Sequence, residues 1–558
     1  MPARHSLRLK PENYITKLPC AYYTDNLDMK IAENIWNFEV NGLPEDGGYN
    51  LHIKFINNVS SAEIKIKDGI FTNVIIENQS SEIPVMIRNR ILNFDIRLNE
   101  KADCKSCPLC EVIMIDPAST GNLIHDFVSY KRETKIENCN LLGNWNASYR
   151  RIMAEDFDFE EIMKMRDEIF DWLAARQVLN EDNPHYGAIY SEEDKYCFKD
   201  AIFASASFMK KYIRNNDKVW LERAIAAKDY SFKGQYINTG DKGKDGAWAA
   251  MGIIDDGEGK NFRRITDKWA QASGVDTFII GIISGELYDM GLPFTDSQLK
   301  QLELAIDWTM RNRIESGWFS HHEGMTLTCV PVNSLAASMI YSIHKVLVNS
   351  RGHGLNKEIL SEADLSVQNV FQCQEAIGVY PYRRGADFNR GGKYCCENFP
   401  DNGIGLQALM YLFKNKYSPF SFDRFSEYFR KTALWYLLSS RWEKDSLVLE
   451  YRADEEFLKG LAFGNFTWCR ITMLDVISQI KDHIGNAPFW KQFVRCHLRT
   501  IRETLWNHDD KSHAPIRASV VPIKLVSWIQ QAEWATFVLD KLSESYDLKN
   551  DMPQNQEN

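Results

Sequence analysis

The chain has 558 residues, 44% hydrophobic and 25% charged, with a formal net charge of −10. That length exceeds one ordinary core and implies two domains or one large ring. The mildly acidic balance, without a long basic run, argues against nucleic acid as a partner.

The opening residues, "MPARHSLRLKPENYITKL", are basic but lead into no apolar stretch. Neither a secretory leader nor an uninterrupted apolar span of roughly 18 residues is visible. Unless a leader has been trimmed, a soluble cytoplasmic protein with no membrane partner is expected.

Residues 1–140 read as β. "NLHIKFI", "AEIKIKDGIFTNVIIE" and "EIPVMIRNRILNFDIRL" alternate and are rich in β-branched side chains, with Asp68-Gly69 marking a hairpin. "EVIMIDP" adds a strand, and a small antiparallel β-sandwich is the expected domain. Just before it stands "CKSCPLC", with Cys104, Cys107 and Cys110. With Cys139 as a fourth ligand, these thiols have the makings of a zinc or iron–sulfur shell. The chain offers no second CxxC and no Cys/His pair at finger spacing, so reduced loop thiols are the expectation. No metal or cofactor is called for.

After a linker at 141–157 the pattern becomes helical and paired. Amphipathic stretches near 158–178, 217–230, 296–313, 358–374, 423–439 and 488–506 each precede a more apolar partner. The partners lie near 196–213, 268–288, 331–349, 402–414, 464–481 and 524–545. "LKQLELAIDWTMRNRI" has one apolar stripe and a charged back, as an outer helix should. "GVDTFIIGIISGEL" and "NSLAASMIYSIHKVL" are apolar nearly all round and rich in small residues, which places them inside. Inner helices ringed by outer ones make an (α/α)6 toroid over 158–545, with a disordered polar tail at 546–558.

The loops entering the inner helices hold the unusual residues. The first carries His185, Tyr186, Tyr190 and Asp194; the second Asp255, Asp256, Arg263, Arg264, Asp267 and Trp269. The third carries Trp318, His321, His322, Glu323 and Asn333. The fourth, "YPYRRGADFNRGGKYCCENFPDNGIG", holds Tyr380, Tyr382, Arg383, Arg384, Asp387, Arg390, Glu397 and Asp401. Tyr451, Arg452, Trp468 and Arg470 belong to the fifth. If the inner helices run parallel, these loops share one rim, where helix N-termini favour an anion. Arginine forks suit a carboxylate or sulfate, and aromatic faces suit sugar rings. The expected partner is therefore an anionic oligosaccharide.

This layout resembles the six-hairpin glycosidases and the toroid polysaccharide lyases that carry a β-domain. With its sheet first, it is closer to glycosidases with an N-terminal sandwich, or to glucuronyl epimerases. The resemblance is architectural, with no diagnostic motif, so it assigns no catalytic residue. "GW" turns such as "IESGWF" also resemble those of terpene cyclases, whose aspartate-rich motifs are not evident.

Two chemistries fit. A hydrolase needs two carboxylates flanking the scissile bond, with Asp256, Glu323, Asp387, Glu397 and Asp401 as candidates. A lyase needs a proton-abstracting His322, Tyr190 or Tyr382, with Arg383 or Asn333 neutralising a uronate. Asp401 has a helix cap as its plainer role, and Asp194 and Asp267 complement helix dipoles. "HHEG" lacks the zinc-helix spacing, and "DDGEG" lacks the closing glutamate of a calcium loop. Carboxylates outnumber lyase bases, so hydrolysis of a uronic-acid-containing oligosaccharide is expected ahead of β-elimination. A non-catalytic carbohydrate-binding toroid and a uronate C5-epimerase are the alternatives.

Overall fold

The computed structural model describes ten N-terminal strands between residues 6 and 115. Beyond them it describes 151–155, 159–190, 195–249, 251–254, 262–265, 272–321, 329–374, 378, 380, 399–438, 440–449, 467–484, 487–504, 506 and 539. The chain divides into two compact units. One is Met1–Glu155 with Leu437–Trp442 and Lys481–Phe493; the other is Asp156–Tyr436 with Glu443–Ile480 and Val494–Asn558.

The strands are β1 (Ser6–Arg8), β2 (Ala21–Tyr22), β3 (Leu27–Ala32), β4 (Ile35–Asn41), β5 (Gly47–Phe55), β6 (Ser61–Ile66), β7 (Thr72–Ile75), β8 (Ser80–Ile87), β9 (Ile91–Leu98) and β10 (Leu109–Ile115). They form a six-stranded sheet, β1-β3-β4-β9-β6-β7, and a four-stranded sheet, β2-β10-β5-β8. The hairpin expected around Asp68-Gly69 joins β6 to β7, with Ile64 opposite Thr72; the turn itself lies outside the described residues. On β9 the alternation decides the faces. Phe94 and Ile96 are buried, and Ile64 sits in register with Ile96. Glu63 and Arg97 pair at 3.0 Å among the less buried alternate positions.

The helices of the second part are α1 (Phe159–Ala175), α2 (Phe198–Asn215), α3 (Lys218–Lys233), α4 (Gly274–Asp289), α5 (Asp296–Arg311), α6 (Val330–Arg351), α7 (Lys357–Gln372), α8 (Phe399–Lys414), α9 (Phe422–Leu438), α10 (Thr467–Ile480) and α11 (Ala487–Thr504). Each lies where the sequence pattern expects one; the last expected partner, 524–545, lies outside the described residues apart from Leu539. Odd-numbered helices are amphipathic. In α5, Leu299, Leu302, Ala305, Ile306 and Trp308 are buried, while Asp296, Lys300 and Asp307 are exposed. Even-numbered helices are buried on nearly every face: α6 is buried without a break from Val330 to Ile343.

The inner helices run parallel, as cross-contacts in matching order show. Between α2 and α4, the first-turn side chains of Lys199 and Asp276 meet. Between α4 and α6, Gly281 lies against Met339, and Gly285 against Ser342. A Cβ on Gly281 would stand 2.4 Å from Met339 Cγ, so this approach requires glycine. Ser338 Oγ donates to Ala408 O and Asn415 Nδ2 to Tyr341 O, which aligns α6 with α8. Gln407 and Lys414 of α8 reach Asp475 and Gln479 of α10 in the same sense.

A repeated corner ties the outer helices together. Two residues past α1, α3 and α7 stand Gln177, Gln235 and Gln374. Each amide donates to the carbonyl of a following glycine, Gly187, Gly246 or Gly378, and to a backbone carbonyl in the next outer helix. All three glycines have positive φ, from 89° to 102°. Any Cβ at Gly246 would lie 2.2 Å from Leu304 O of α5. The corner after α5 differs: there the N–H of Gly317 donates to Glu362 of α7 at 2.6 Å.

The ring closes. Arg502 of α11 reaches Glu168 of α1 at 3.0 Å, and Trp506 Nε1 donates to the same carboxylate at 2.7 Å. An open superhelix would leave these segments, distant in the chain, apart.

Candidate active site at the inner-helix rim

Because the even-numbered helices are parallel, their first turns share one end of the ring. Those turns carry Lys199 and Asp200 in α2, Asp276 and Thr277 in α4, Asn333 and Ser334 in α6, and Arg470 in α10. All of these are buried. Asp200, Asp276 and Asp401 each occupy the third helical position, in α2, α4 and α8 respectively. Acids there complement the helix dipole and the unpaired N–H groups of the turn.

One contact crosses between helices at this level. Lys199 Nζ lies 3.3 Å from Asp276 Oδ1, and both residues are 6% exposed. Ser273, the N-cap of α4, donates its hydroxyl to Asp276 Oδ2 and accepts the Asp276 N–H. Burial opposes the Lys199 charge, but Asp276, Cys197 and Asp200 outweigh it and raise the ammonium above the usual lysine range. Next to this pair, the N–H of Gly274 donates to His321 O at 3.0 Å.

A second polar group lies at the entry to α2. The His185 ring stacks on Tyr196 at 3.8 Å, with Nδ1 2.8 Å from the Tyr230 hydroxyl. Burial, then repulsion from Lys233, lowers its pKa to about 4, so the ring is neutral near pH 7. Below the rim, a cavity of about 20 Å³ is lined by Phe203, Ile279, Ile282, Ile283, Leu335, Ile404, Gln407, Ala408 and Tyr411. It has room for about one water and no sugar.

Several expected site residues have described positions. Trp318, at 3% exposure, is the buried end of the Gly317 corner. Asn333 is fully buried; its Oδ1 accepts the Phe319 N–H and its Nδ2 donates to Cys329 O. Tyr380 is 2% exposed against Phe371, and burial pushes its hydroxyl well above the usual tyrosine range. These three face other protein groups rather than an open surface. Arg470 is 1% exposed and close enough to His497 to help burial hold that imidazole low. Tyr190, by contrast, is 36% exposed.

Arg263 and Arg264 sit on strand β12 (Phe262–Ile265), opposite Ile253 and Gly252 of β11 (Met251–Ile254). Trp468 is the second residue of α10. The side chains of these three lie outside the described residues, as do Asp256, Trp269, His322, Glu323, Tyr382, Arg383, Arg384, Asp387, Arg390 and Glu397. In the chain, every one of them except Trp468, which stands in the first turn of α10, falls in a segment that leads into an inner helix. Among the described residues, no group of three His, Cys, Asp or Glu side chains is placed to hold a metal. None of their helices is long and apolar enough to cross a membrane. Cys104 and Cys107 lie outside the described residues.

Sequence reasoning passed over Lys199, Asp200, Ser273 and Asp276. The signal was present in "CFKDAIFASA" and "SGVDTFIIGII", where single charges interrupt the start of otherwise apolar helices. Attention went instead to Asp194 and Asp267, which precede those helices.

No family model and no curated protein matches the sequence. Several solved structures are similar to it. A D-mannose isomerase aligns with a TM-score of 0.47 and 12% identity, over 69% of this chain and 98% of its own. A heparin-specific unsaturated glucuronyl hydrolase aligns at 0.46 and 9%, over 70% and 97%. An inactive variant of the α-1,6-mannanase GH76A of Salegentibacter sp. HEL1_6, bound to α-1,6-mannotriose, aligns at 0.43 and 10%, over 69% and 99%. At TM-scores below 0.5 and identities of 9–12%, these likenesses say nothing of activity or substrate.

Proposed function

We propose that this chain is a carbohydrate-active enzyme that hydrolyses a glycosidic bond in an acidic, uronic-acid-containing oligosaccharide. The observation that carries this reading is the shared rim: parallel helices begin together there, joined by the Lys199–Asp276 pair. Glycoside hydrolysis needs two carboxylates in different surroundings, one to donate a proton and one to act as base or nucleophile. Asp276, matched by an ammonium and a hydroxyl, suits the second role. The proton donor comes from Asp200 at the same helical position in α2, or from Asp256, Glu323, Asp387 or Glu397 in the entering segments. Arg263, Arg264, Arg383, Arg384 and Arg390 supply forks for a uronate, and Trp269 and Trp468 supply stacking faces. The two N-terminal sheets form a sandwich-like module preceding the ring in the chain.

The test is incubation with uronic-acid glycans. New reducing ends without a conjugated double bond are expected. Appearance of that double bond makes the enzyme a lyase, and deuterium uptake at C5 without cleavage makes it an epimerase. Binding without any reaction leaves only a lectin-like role. Asp276→Asn should lower kcat by about 10²–10⁴-fold with the fold intact. Near-normal turnover removes Asp276 from the carboxylate pair.

A further inference from the structure

We infer that Lys199 is a positioning residue, which clamps the Asp276 carboxylate in its reactive orientation from the neighbouring inner helix. The inference rests on the reading of Asp276 above and adds to it how the ring assembles that carboxylate.

The geometry separates this arrangement from helix capping. The outer helices cap their own first turns with neutral or carboxylate groups of the same segment: Asp217 for α3, the Thr295–Gln298 box for α5, whose Gln298 also donates to Asp229 of α3, and Asn356 for α7. Helix α4 already has the equivalent device in Ser273, which accepts the Asp276 N–H. Capping therefore gives no reason to bury a lysine against Asp276 from another helix. Desolvating an ammonium is unfavourable unless a fixed counter-charge meets it, and here both residues are 6% exposed. Ser273 holds one carboxylate oxygen and Lys199 the other, so the side chain is bound from two elements.

Among the described residues, the charged and titratable groups around Lys199 are Asp276 on α4, Asp200 on α2 and Cys197 at the end of the strand before α2; His321 adjoins the start of α4. Lys199 is the one lysine or arginine of that described set. Removing it leaves Asp276 with the Ser273 hydroxyl and without its described counter-charge. The carboxylate then loses the contact that fixes its orientation, together with an adjacent cation of the kind that favours the charged form of a carboxylate.

The experiment compares wild type, Lys199→Gln and Lys199→Arg in pH profiles of kcat and kcat/KM on a cleaved uronic-acid glycan. Lys199→Gln should lose about tenfold or more in kcat, with KM changed less than about twofold. Its acid limb should move to higher pH by about one unit, and Lys199→Arg should bring the limb back. An unmoved limb in a folded Lys199→Gln, or the same shift in both variants, overturns the positioning role. A melting-midpoint cycle of Lys199→Gln, Asp276→Asn and the double variant reads the pair without activity. Additive losses show no coupling and overturn the inference. If wild type cleaves no glycan, the functional reading fails, and the positioning role for catalysis falls with it. Coupling in the melting cycle then shows a structural clamp only.

Discussion

Replacing Gln235 with alanine tests the corner that aligns the outer helices. Its Nε2 donates to Gly246 O and Gln301 O, each at 2.7 Å, and the residue is fully buried. Gln301 lies inside α5, so its carbonyl retains its intrahelical bond and loses only a second donor. Gly246 O meets no other donor among the described residues and would be left bare. An orphaned buried carbonyl costs about 1–3 kcal/mol and a lost neutral bond about 1 kcal/mol. Truncating the buried side chain adds about 1 kcal/mol. Gln235 Oε1 has no donor among the described residues, so its removal returns about 1 kcal/mol. The net loss is about 3 kcal/mol. With about 2.1 cal/mol/K of unfolding entropy per residue over roughly 400 ring residues, the melting midpoint should fall about 3–4 °C. Scanning calorimetry at fixed rate measures it. Gln374→Ala, at another corner with no shared partner, should add independently to within about 0.5 kcal/mol. A drop below about 1 °C in both variants would refute the corner's role.

Two further predictions concern backbone strain and pH. Gly246→Ala forces a side chain into φ +102° and against Leu304 O, and should cost about 3 kcal/mol or more. Gly240→Ala, at φ +79° in open space, should cost about 1 kcal/mol; equal midpoints for the two would contradict the packing argument. His185 has a folded pKa of about 4, below its unfolded value of about 6.5. Its contribution to stability is therefore complete above pH 6.5, declines as pH falls toward 4, and changes no further below that. The loss is at most about 3 kcal/mol. His185→Asn keeps an acceptor for the Tyr230 hydroxyl but cannot titrate, so its melting midpoint should respond less across this window. Identical slopes would exclude His185 as the group responsible.

Helix positions were legible because inner and outer helices bury different fractions of their surface, and periodicity records burial. "NSLAASMIYSIHKVL" could not be an outer helix, and α6 is buried along that run except at His344. The repeated corner was less visible. Gln177, Gln235 and Gln374 stand at a constant offset from their helix ends, but the intervals to Gly187, Gly246 and Gly378 vary, which hides the repeat from a fixed-period reading. Trp318, Asn333 and Tyr380 were singled out for chemical type, yet burial is a property of what packs over them.

Local order along the chain settled where helices form and which of them avoid water, since propensity and apolar periodicity act over a few turns. Which charges meet was settled by closure. Lys199 and Asp276 are far apart in sequence and touch because α2 and α4 lie parallel, while Arg502 finds Glu168 because the last outer helix returns to the first. Such pairings depend on through-space distance, which one-dimensional spacing does not encode.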